Sequence, residues 1–387
     1  MRIYLDFNAT TPPFPEVVET VASVLAHDYG NPSSVHAFGQ RAKGLLDDAR
    51  GAVAALIGAD PSEVVFTSGG TEADNLALRG AADALDVTGR RHLITSGIEH
   101  EAVLTTVKAL ERRGWQVTLL STDQSGVVSP EALREAITPK TSIVSVMLAN
   151  NEVGTIQPVA ELAAIARANG AIFHTDAVQA TGKIPVSVKA LGVDTLAIAG
   201  HKFGGPKGTG ALWIRRGVRL VSTETGGRQE RNRRAGTENV PALAGLGVAA
   251  RIAQAKMTES AAALASLRDQ LERDVLATVP GTFVNGDPAR RVPNTTNISF
   301  DAIEAESLLI ALDLEGIAVS TGSACSSGSL EPSHVLKAMG LLGRARNSLR
   351  FSLGPSTTPA EIEALVRALP SLVTKLRRLG RTAAALR

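Results

Sequence analysis

The sequence predicts an α/β fold with a mostly parallel sheet, followed by a second, smaller α+β domain. Short β-rich runs alternate with helical patterns from about residue 63 to about residue 214, which is typical of parallel strands covered by helices on both faces. The 387 residues exceed what one compact core of ordinary size holds, so two domains are expected. An Ala-, Leu- and charge-rich helix over about 252–275 is predicted to lead out of the first domain.

The individual elements follow from local signals. Short runs rich in β-branched and aromatic residues predict strands. They lie at 64–67, 92–95, 117–120, 142–148, 171–174, 195–199 and 210–214. Between them we predict helices, among them one over 71–85 and one that begins at Pro158 and ends at Gly170. In the second domain, Thr358 and Glu361 form a capping box ahead of the last helix.

Composition argues against several classes of protein. Forty Lys and Arg against 38 Asp and Glu give a formal net charge of +2, which argues against capture of nucleic acid or of a membrane by bulk charge. No apolar run approaches the roughly 20 residues that span a bilayer, and Asp6 and Asn8 interrupt the first apolar stretch, so we expect a cytoplasmic protein. One cysteine cannot form an intramolecular disulfide or a Cys-based metal centre. The seven histidines lack metal-ligand spacing, so no metal site is predicted.

Two strand ends carry the groups that pyridoxal 5′-phosphate requires. Lys202 directly follows the strand 195–199, and Asp176 ends the run that begins at Ala171. Because the carboxyl ends of parallel strands meet at one edge of a sheet, both residues face the ligand crevice. A lysine there can form a Schiff base with a carbonyl cofactor, and an acid can pair with a pyridinium nitrogen. The alternatives are a solvated loop lysine and an aspartate that caps the following segment.

Two further strand ends are ambiguous on their own. His100 follows the strand 92–95, where an imidazole can stack on a flat cofactor or move protons, but a partly buried loop histidine is an equally good interpretation. Ser68-Gly-Gly-Thr71 joins a strand to a helix. It can cradle a phosphate with its backbone N–H groups, or it can be a simple turn in which Thr71 caps the helix. Neither a Walker A loop nor a complete G-x-G-x-x-G occurs, which argues against ATP and NAD.

The single cysteine lies in a segment rich in serine and glycine. Cys325 lacks the flanking apolar periodicity of a buried cysteine, so the segment is predicted to be a mobile, accessible loop suited to a nucleophilic thiolate. Arg350 begins a short strand and suits capture of a carboxylate, with a surface ion pair as the alternative. A further cluster is interpreted as a solvated loop or as a contact with an anion or a second subunit. It comprises Arg228, Arg231, Arg233 and Arg234.

Several motifs occur together in this chain. They are Tyr4-Leu-Asp-Phe-Asn-Ala-Thr-Thr-Pro, Thr67-Ser-Gly-Gly-Thr-Glu-Ala-Asp-Asn, Glu99-His-Glu-Ala-Val, Asn150-Asn-Glu-Val-Gly, His174-Thr-Asp-Ala-Val-Gln179, Gly200-His-Lys and Gly322-Ser-Ala-Cys325. In this combination the sequence resembles the cysteine desulfurases of the NifS/IscS type, within the class V aminotransferase-like enzymes of fold type I, which use pyridoxal phosphate. The resemblance covers nearly the whole chain.

The resemblance implies a role for each site residue. Lys202 would form the Schiff base with the cofactor and later move protons at the substrate Cα, while His100 would stack on the ring and act as an acid or base. Asp176 would pair with the pyridine nitrogen and Gln179 with the phenolate oxygen. Cys325 would attack the substrate sulfur. The remaining assignments are Gly70, Thr71 and His201 at the phosphate, Thr237 at the phosphate across a homodimer interface, Asn151 at the cofactor, and Asn151 with Arg350 at the substrate carboxylate.

The resemblance also implies the architecture and the reaction. It predicts a seven-stranded sheet in a large cofactor domain, 15–257, and a small domain formed by 1–14 with 258–387 that carries the cysteine loop. L-Cysteine would become L-alanine, and a persulfide on Cys325 would pass to an acceptor such as an iron–sulfur scaffold protein, or serve thiolation of tRNA or cofactors. The alternatives are a selenocysteine lyase or another class V enzyme, and a non-catalytic sulfur-relay protein. Ala199 departs from the family, whose members often place a phosphate-binding serine there.

Overall fold

The largest feature of the molecule is a seven-stranded sheet. The computed structural model describes residues 2–322 and 332–385. The strands of all sheets in the described chain are β1 Ile3–Tyr4, β2 Val64–Thr67, β3 His92–Ser96, β4 Gln116–Leu120, β5 Thr141–Ser145, β6 Ile172–Asp176, β7 Thr195–Ala199, β8 Gly210–Ile214, β9 Thr282–Asn285, β10 Thr295–Phe300, β11 Ile317–Ala318 and β12 Ser348–Ser352. The large sheet has the order β2-β8-β7-β6-β5-β3-β4. Within the described residues only β8 runs antiparallel to its neighbours, so the predicted mostly parallel seven-stranded sheet is confirmed.

Helices pack on both faces of this sheet. The described residues form, in chain order, the helices α1 Pro15–His27, α2 Ala37–Leu56, α3 Gly70–Leu85, α4 Glu101–Arg112, α5 Pro130–Ala136, α6 Val159–Ala168, α7 Val188–Leu191, α8 Gln229–Asn232, α9 Val240–Thr278, α10 Ala305–Leu314, α11 His334–Ala338 and α12 Pro359–Ala385. Of these, α10 and α12 pack in a second core away from the large sheet. Leu196 and Ile198 of β7 belong to a core cluster with α2 and α9, whereas Ala197 between them belongs to a cluster with α3. This alternation follows from the two-residue period of strand side chains. No helix in the described ranges combines the length and apolar content needed to cross a membrane.

The strand predicted over 142–148 is shorter in the structure. Regular pairing in β5 stops at Ser145. The N–H of Leu148 nevertheless donates to the carbonyl of Asp176 at 2.8 Å. The chain therefore continues beside β6 without a regular ladder, a distinction that an uninterrupted apolar run in the sequence does not reveal.

Helix α9 enters two hydrophobic cores. It extends beyond the predicted 252–275 at both ends. Its N-terminus lies earlier because Asn239 caps it and Pro241 fits the first turn. Its first turns, including Leu243, pack in the core beneath the large sheet. Its last turns, including Leu271, pack in a second core.

The second core brings the two ends of the chain together. A three-stranded antiparallel sheet has the order β12-β10-β9, and β1 pairs in parallel with β11. The capping box ahead of α12 is confirmed, since the Thr358 N–H donates to Glu361 Oε2 at 2.7 Å. The domain bounds, 15–257 against 1–14 with 258–387, stay a prediction.

A buried ion pair lies at the arginine cluster. Arg50 donates from Nη1 and Nη2 to the two carboxylate oxygens of Glu230, each at 2.6 Å, and the Phe66 N–H donates to the same carboxylate at 2.8 Å. Glu230 is 5% exposed and has a φ of 43°, within the distorted turn α8. Arg234 of the cluster pairs with Glu72 in the first turn of α3, with Nε and Oε1 2.9 Å apart. The solvated-loop interpretation is therefore wrong for Arg234.

Glu230→Gln is expected to lower the free energy of unfolding by about 3–5 kcal/mol, because it leaves the charge of Arg50 buried without its partner. Urea denaturation of the two proteins measures the difference. Arg134→Ala is the matched control, since Arg134 makes ion pairs only with exposed partners on the surface among the described residues and its loss should leave the transition nearly unchanged. A Glu230→Gln transition as close to wild type as that of the control would contradict the expectation.

Candidate active site

The polar residues of the site follow the carboxyl ends of neighbouring strands. His100 follows β3, Asn151 follows β5, Asp176 ends β6, and Lys202 follows β7. Since β7, β6, β5 and β3 are adjacent in that order, these residues lie along one edge of the sheet. Among the residues that the structure describes, no group of three or more His, Cys, Asp or Glu could hold a metal ion.

Asp176 is a buried carboxylate at the end of β6. It is 6% exposed, and its Oδ1 accepts a hydrogen bond from the Val178 N–H at 2.8 Å. Burial raises the pKa of Asp176, while the nearby His100 and Lys202 oppose the rise. The residues after Asp176 form a turn, so the helix-capping alternative does not apply. A buried acid in this position favours a cationic ligand atom, which would stabilise its charged form.

Lys202 is held inside the site by main-chain carbonyls. Its Nζ donates to the carbonyl oxygens of Asn8 and Ala9, at 2.7 and 3.0 Å. Gln179 Nε2 donates to the same Asn8 carbonyl at 3.0 Å. The lysine amine and the glutamine amide therefore lie side by side, and the alternative of a solvated loop lysine is wrong.

Asn8 makes hydrogen bonds to several site residues, although its sequence pattern did not identify it as a site residue. It is 1% exposed, and its Oδ1 accepts from Lys183 Nζ at 2.7 Å and Asn294 Nδ2 at 3.1 Å. Its Nδ2 donates to Thr295 Oγ1 at 2.8 Å and to the Asn151 carbonyl at 3.2 Å. These partners are more than a hundred residues away in sequence, so the motif around Tyr4 was the only available signal.

His100 caps helix α4 and borders a cleft. Its Nδ1 accepts a hydrogen bond from the Ala102 N–H at 3.1 Å. In the neutral ring this places the proton on Nε2. With Thr71 and Asn75, His100 lines a cleft of about 620 Å³. The helix cap therefore fixes the orientation of the ring, which the loop-histidine interpretation did not include.

The start of α3 is packed closely against the ends of β6 and β7. The helix begins at Gly70 with Gly69 at the N-cap position, so the predicted capping by Thr71 is wrong. A Cβ on Gly70 would lie 2.7 Å from Val178 Cγ2 and 3.5 Å from Ala199 Cβ, so the close approach requires glycine. The helix N-terminus therefore presents its N–H groups and its positive dipole end at this edge of the sheet, which suits an anion.

Two other predicted phosphate ligands differ in their placement. His201 lies in the turn after β7, with Nδ1 3.2 Å from Thr10 Oγ1. Burial, with Lys202 and Lys207 nearby, lowers the pKa of His201 to about 4, so its ring is neutral. Thr237 is exposed in this single chain, and its assignment to the site of a second subunit stays a prediction.

Arg350 is a buried residue of β12. It is 3% exposed, and it donates from Nη2 to Asp6 Oδ1 at 2.7 Å and from Nη1 to the Asn151 carbonyl at 3.0 Å. The alternative of a surface ion pair is therefore wrong. Within the described residues, Arg350 Nε and Asn151 Oδ1 are buried atoms without a hydrogen-bond partner. Such atoms are costly unless a ligand satisfies them.

Cys325 lies outside the described residues, but both flanking segments contact Glu152. Ser333 Oγ donates to Glu152 Oε2 at 2.5 Å. On the other side, a Cβ on Gly322 would lie 3.0 Å from the same oxygen. Glu152 follows Asn151 directly and is 1% exposed. Gly322 and Ser333, which flank the cysteine segment, therefore both lie close to Glu152, beside the edge of the sheet that carries the site.

Glu99 is a buried carboxyl group that entered the sequence reasoning only as part of a motif. Its Oε1 accepts from Ser96 Oγ at 2.5 Å and from the Met147 N–H at 3.0 Å. Burial raises its pKa to about 8; Asp176 raises it further, whereas these hydrogen bonds and His100 oppose the rise. Glu99 is thus largely protonated at neutral pH, which avoids a second buried negative charge beside Asp176.

Glu99→Gln is expected to change how stability depends on pH. Because the folded pKa of about 8 lies above the ordinary 4.5, the folded protein keeps a proton that the unfolded chain has lost between these two values, and wild type loses stability as pH rises from about 4.5 to about 8. Glutamine does not titrate. The free energy of unfolding of the variant relative to wild type should therefore increase by several kcal/mol from about pH 5 to about pH 9, at about 1.4 kcal/mol per pKa unit. Urea titrations at both pH values test this, and parallel profiles would contradict it.

Comparison with known proteins connects this geometry to one family. A family model described as "Aminotransferase class-V" matches residues 3–365. A "Cysteine desulfurase" of Trichormus azollae is 50% identical over 379 residues, which are 98% of this chain and 94% of that protein. A solved structure of a "NIFS-LIKE PROTEIN" has a TM-score of 0.91 at 37% identity and covers 97% of this chain and 100% of its own. Another solved structure, "SspA in complex with cysteine", has a TM-score of 0.81 at 35% identity and covers 92% of this chain and 100% of its own.

The matched region includes every strand of the large sheet, every described site residue and β12. The family match and the fold similarity thus extend over both hydrophobic cores. The resemblance that the motifs indicated is confirmed over nearly the full length. This protein belongs to the class-V aminotransferase family.

Proposed function

We propose that this protein is a pyridoxal-phosphate-dependent cysteine desulfurase, which converts L-cysteine to L-alanine and leaves the sulfur as a persulfide on Cys325. One observation carries the proposal: Lys202 Nζ and the Gln179 amide meet on one Asn8 carbonyl, close to the buried carboxylate of Asp176. The relative named a cysteine desulfurase and the solved neighbour with cysteine bound support the choice of reaction.

The described residues fit pyridoxal phosphate group by group. Asp176 would pair with the protonated ring nitrogen, Gln179 would donate to the ring's phenolate oxygen, and the Lys202 amine would condense with the aldehyde. The N-terminus of α3 at Gly70 and the neutral ring of His201 would hold the phosphate. When bound, the cofactor supplies an electron-withdrawing ring at the substrate Cα, which is the chemistry that makes the Cβ–Sγ bond breakable.

Arg350 and Asn151 would hold the substrate carboxylate. Arg350 Nε is a buried donor that no described residue satisfies. The main-chain carbonyl of Asn151 accepts from Arg350 Nη1, and the side-chain NH₂ group of Asn151 would donate to the carboxylate. Asp6 accepts from Nη2 and so fixes the guanidinium plane, leaving Nε to donate to the ligand. A carboxylate would therefore satisfy a donor that is otherwise buried at a cost.

The remaining steps are proton and sulfur transfer by the chain's own groups. Lys202 would remove the proton from the substrate Cα, and His100 would stack over the ring and exchange protons through Nε2. Cys325, as a thiolate, would attack the substrate Sγ, so that an S–S bond forms as the Cβ–Sγ bond breaks. One L-cysteine and one enzyme thiol thus give one L-alanine and one enzyme persulfide, with no external oxidant or reductant.

The covalent chain limits how far Cys325 lies from the site. Cys325 is three residue steps along the chain from Gly322, and an extended chain spans at most about 3.6 Å per step, so the two Cα atoms are no more than about 11 Å apart. A Cβ on Gly322 would lie 3.0 Å from Oε2 of Glu152, the neighbour of Asn151, so Gly322 is close to the site. This bound supports Cys325 as the residue that receives the sulfur.

A homodimer and a separate sulfur acceptor complete the proposal. Thr237 is exposed in one chain and would reach the phosphate in the other subunit. Because Cys325 is the single cysteine among 387 residues, the protein has no second thiol to resolve a persulfide, and the sulfur passes to another molecule. An iron–sulfur scaffold protein, or a relay for thiolation of tRNA or cofactors, is the proposed acceptor, and the cytoplasm is the proposed location.

Incubation of the purified holoprotein with L-cysteine tests this function. The expected result is a visible absorption band from the bound cofactor and equal amounts of alanine and transferred sulfur. Faster turnover of selenocysteine that does not depend on Cys325 would favour a selenocysteine lyase. A keto acid product would favour a transaminase. A colourless protein that does not consume cysteine would favour a non-catalytic relay.

A further inference from the structure

Lys183 is a buried lysine that the proposed reaction does not use. Its Nζ donates to Gln179 Oε1 at 2.6 Å and to Asn8 Oδ1 at 2.7 Å. Burial lowers the pKa of Lys183 well below its usual value, and Lys202 and Arg350 lower it further. A buried lysine without hydrogen-bond partners is unfavourable. The two short hydrogen bonds to amide oxygens offset part of that cost, and they couple Lys183 to two residues of the site.

The turn after β6 brings Lys183 to this position. Its N–H donates to the Ala180 carbonyl at 3.0 Å, so Lys183 lies one turn beyond Gln179. The preceding Gly182 has a φ of 78°, and a Cβ there would lie 2.6 Å from Phe203 Cβ. The turn is therefore closed tightly against the residue that follows Lys202.

The bonds from Lys183 determine which way the Gln179 amide faces. The Lys183 amine has N–H groups to donate in either protonation state, so the carbonyl oxygen of Gln179 faces Lys183 Nζ. The NH₂ group faces away and donates to the Asn8 carbonyl at 3.0 Å. Within the described residues this is the single hydrogen bond of Gln179 Nε2, which leaves a second N–H to donate to a ligand.

The same argument applies to Asn8. Its oxygen faces Lys183 and its NH₂ group donates to Thr295 and to the Asn151 carbonyl. The Asn8 main-chain carbonyl is also the acceptor for Lys202. Lys183 is thus a shared donor to two amides that surround the reactive amine; at Asn8 it acts together with Asn294.

We propose that Lys183 is a positioning residue of the cofactor site, which holds the Gln179 amide with its NH₂ group towards the ring oxygen of bound pyridoxal phosphate. The inference rests on the proposed function, since it takes that cofactor as the ligand. Without Lys183 the amide can reverse, and its oxygen would then oppose the negatively charged ring oxygen.

Lys183→Met removes the donor and keeps the length of the side chain. The dissociation constant of pyridoxal phosphate, measured by equilibrium dialysis, should rise about tenfold, as expected for a lost hydrogen bond to a charged group. The pH midpoint of the visible band of the bound cofactor should shift upwards, because the ring oxygen loses a donor that stabilises its negative charge. Lys183→Arg retains donors, and the adjoining cavity of about 380 Å³ offers room for it, so it should stay close to wild type.

A double-mutant cycle with Gln179→Leu separates positioning from general packing. If Lys183 acts through Gln179, then Lys183→Met should have little further effect on affinity or on the pH midpoint in the Gln179→Leu background. Two results would overturn the inference. One is a Lys183→Met protein with the affinity and midpoint of wild type, and the other is an undiminished effect of Lys183→Met in the Gln179→Leu background.

Thermal unfolding of the cofactor-free proteins checks the fold. If Lys183→Met does not fold, Lys183→Gln gives the same readouts, with an intermediate effect expected because its amide NH₂ group can still donate but is a neutral donor.

These readouts are independent of the desulfurase reaction. Failure of wild type to form alanine from cysteine would overturn the proposed function, while the cofactor affinities of the Lys183 variants would still decide the role of Lys183. Conversely, unchanged affinity and midpoint in Lys183→Met would overturn only the positioning role.

Discussion

Lys202→Ala is expected to lose the visible band of the bound cofactor and to release alanine from L-cysteine at least about a thousandfold more slowly than wild type. The Nζ of Lys202 lies on the Asn8 and Ala9 carbonyls, and in the proposed reaction it both condenses with the cofactor and moves the proton at Cα. Lys183 does not replace it, because its own Nζ is held by the side-chain oxygens of Asn8 and Gln179.

Alanine release under saturating cysteine and the absorption spectrum of the purified variant measure this effect. Lys108→Ala is the matched control, since Lys108 is exposed on α4 and its loss should change neither quantity. Circular dichroism checks that both variants fold. A Lys202→Ala protein that keeps more than about a hundredth of wild-type turnover would contradict the assigned role.

Cys325→Ser is expected to bind the cofactor like wild type and to lose persulfide formation, with desulfurase turnover reduced by about a thousandfold or more. Serine is nearly isosteric, but its hydroxyl does not accept sulfur from the substrate. Because the chain has one cysteine, the variant contains no thiol that could substitute for it. The contrast with Lys202→Ala is informative, since one variant loses the cofactor and the other only the sulfur acceptor.

Ser327→Ala is the control for Cys325→Ser, because it changes a neighbouring polar residue of the same segment without changing the thiol. It should retain the cofactor band and most of the turnover. Undiminished sulfur transfer from cysteine by Cys325→Ser would exclude Cys325 as the acceptor and would favour one of the alternative class V reactions.

Much of the fold was predictable because its signals are local. The strands 195–199 and 210–214 match β7 and β8, since strands buried on both faces of a sheet are short continuous apolar runs. The capping box of Thr358 and Glu361 was predictable for the same reason, because its two partners are three residues apart. The end of β5 was not, since it depends on how residues 146–148 pair with β6.

The site was predictable only in outline. Strand-end positions indicated His100, Asp176 and Lys202, because the carboxyl ends of parallel strands meet at one edge. The roles of Asn8 and Glu99 depend on contacts between distant segments, such as the bond from Lys183 to Asn8. No local pattern in the sequence contains that information.

Buried charges were the least predictable feature. Arg350 and Glu230 both lie in sequence contexts that are common on protein surfaces, and surface pairing is the ordinary expectation for such residues. In the structure each is buried with a partner more than a hundred residues away, Asp6 and Arg50 respectively. The ion pairs therefore follow from the tertiary fold and not from composition.

Mass spectrometry of the Cys325 peptide after a single turnover tests the central claim most directly. Holoprotein is mixed with less than one equivalent of L-cysteine carrying isotopically labelled sulfur, and alanine is quantified in the same sample. The account predicts that the Cys325 peptide gains the mass of one labelled sulfur atom, with one alanine formed per sulfur bound. Alanine formation with an unmodified Cys325 peptide, or label on any other residue, would contradict it.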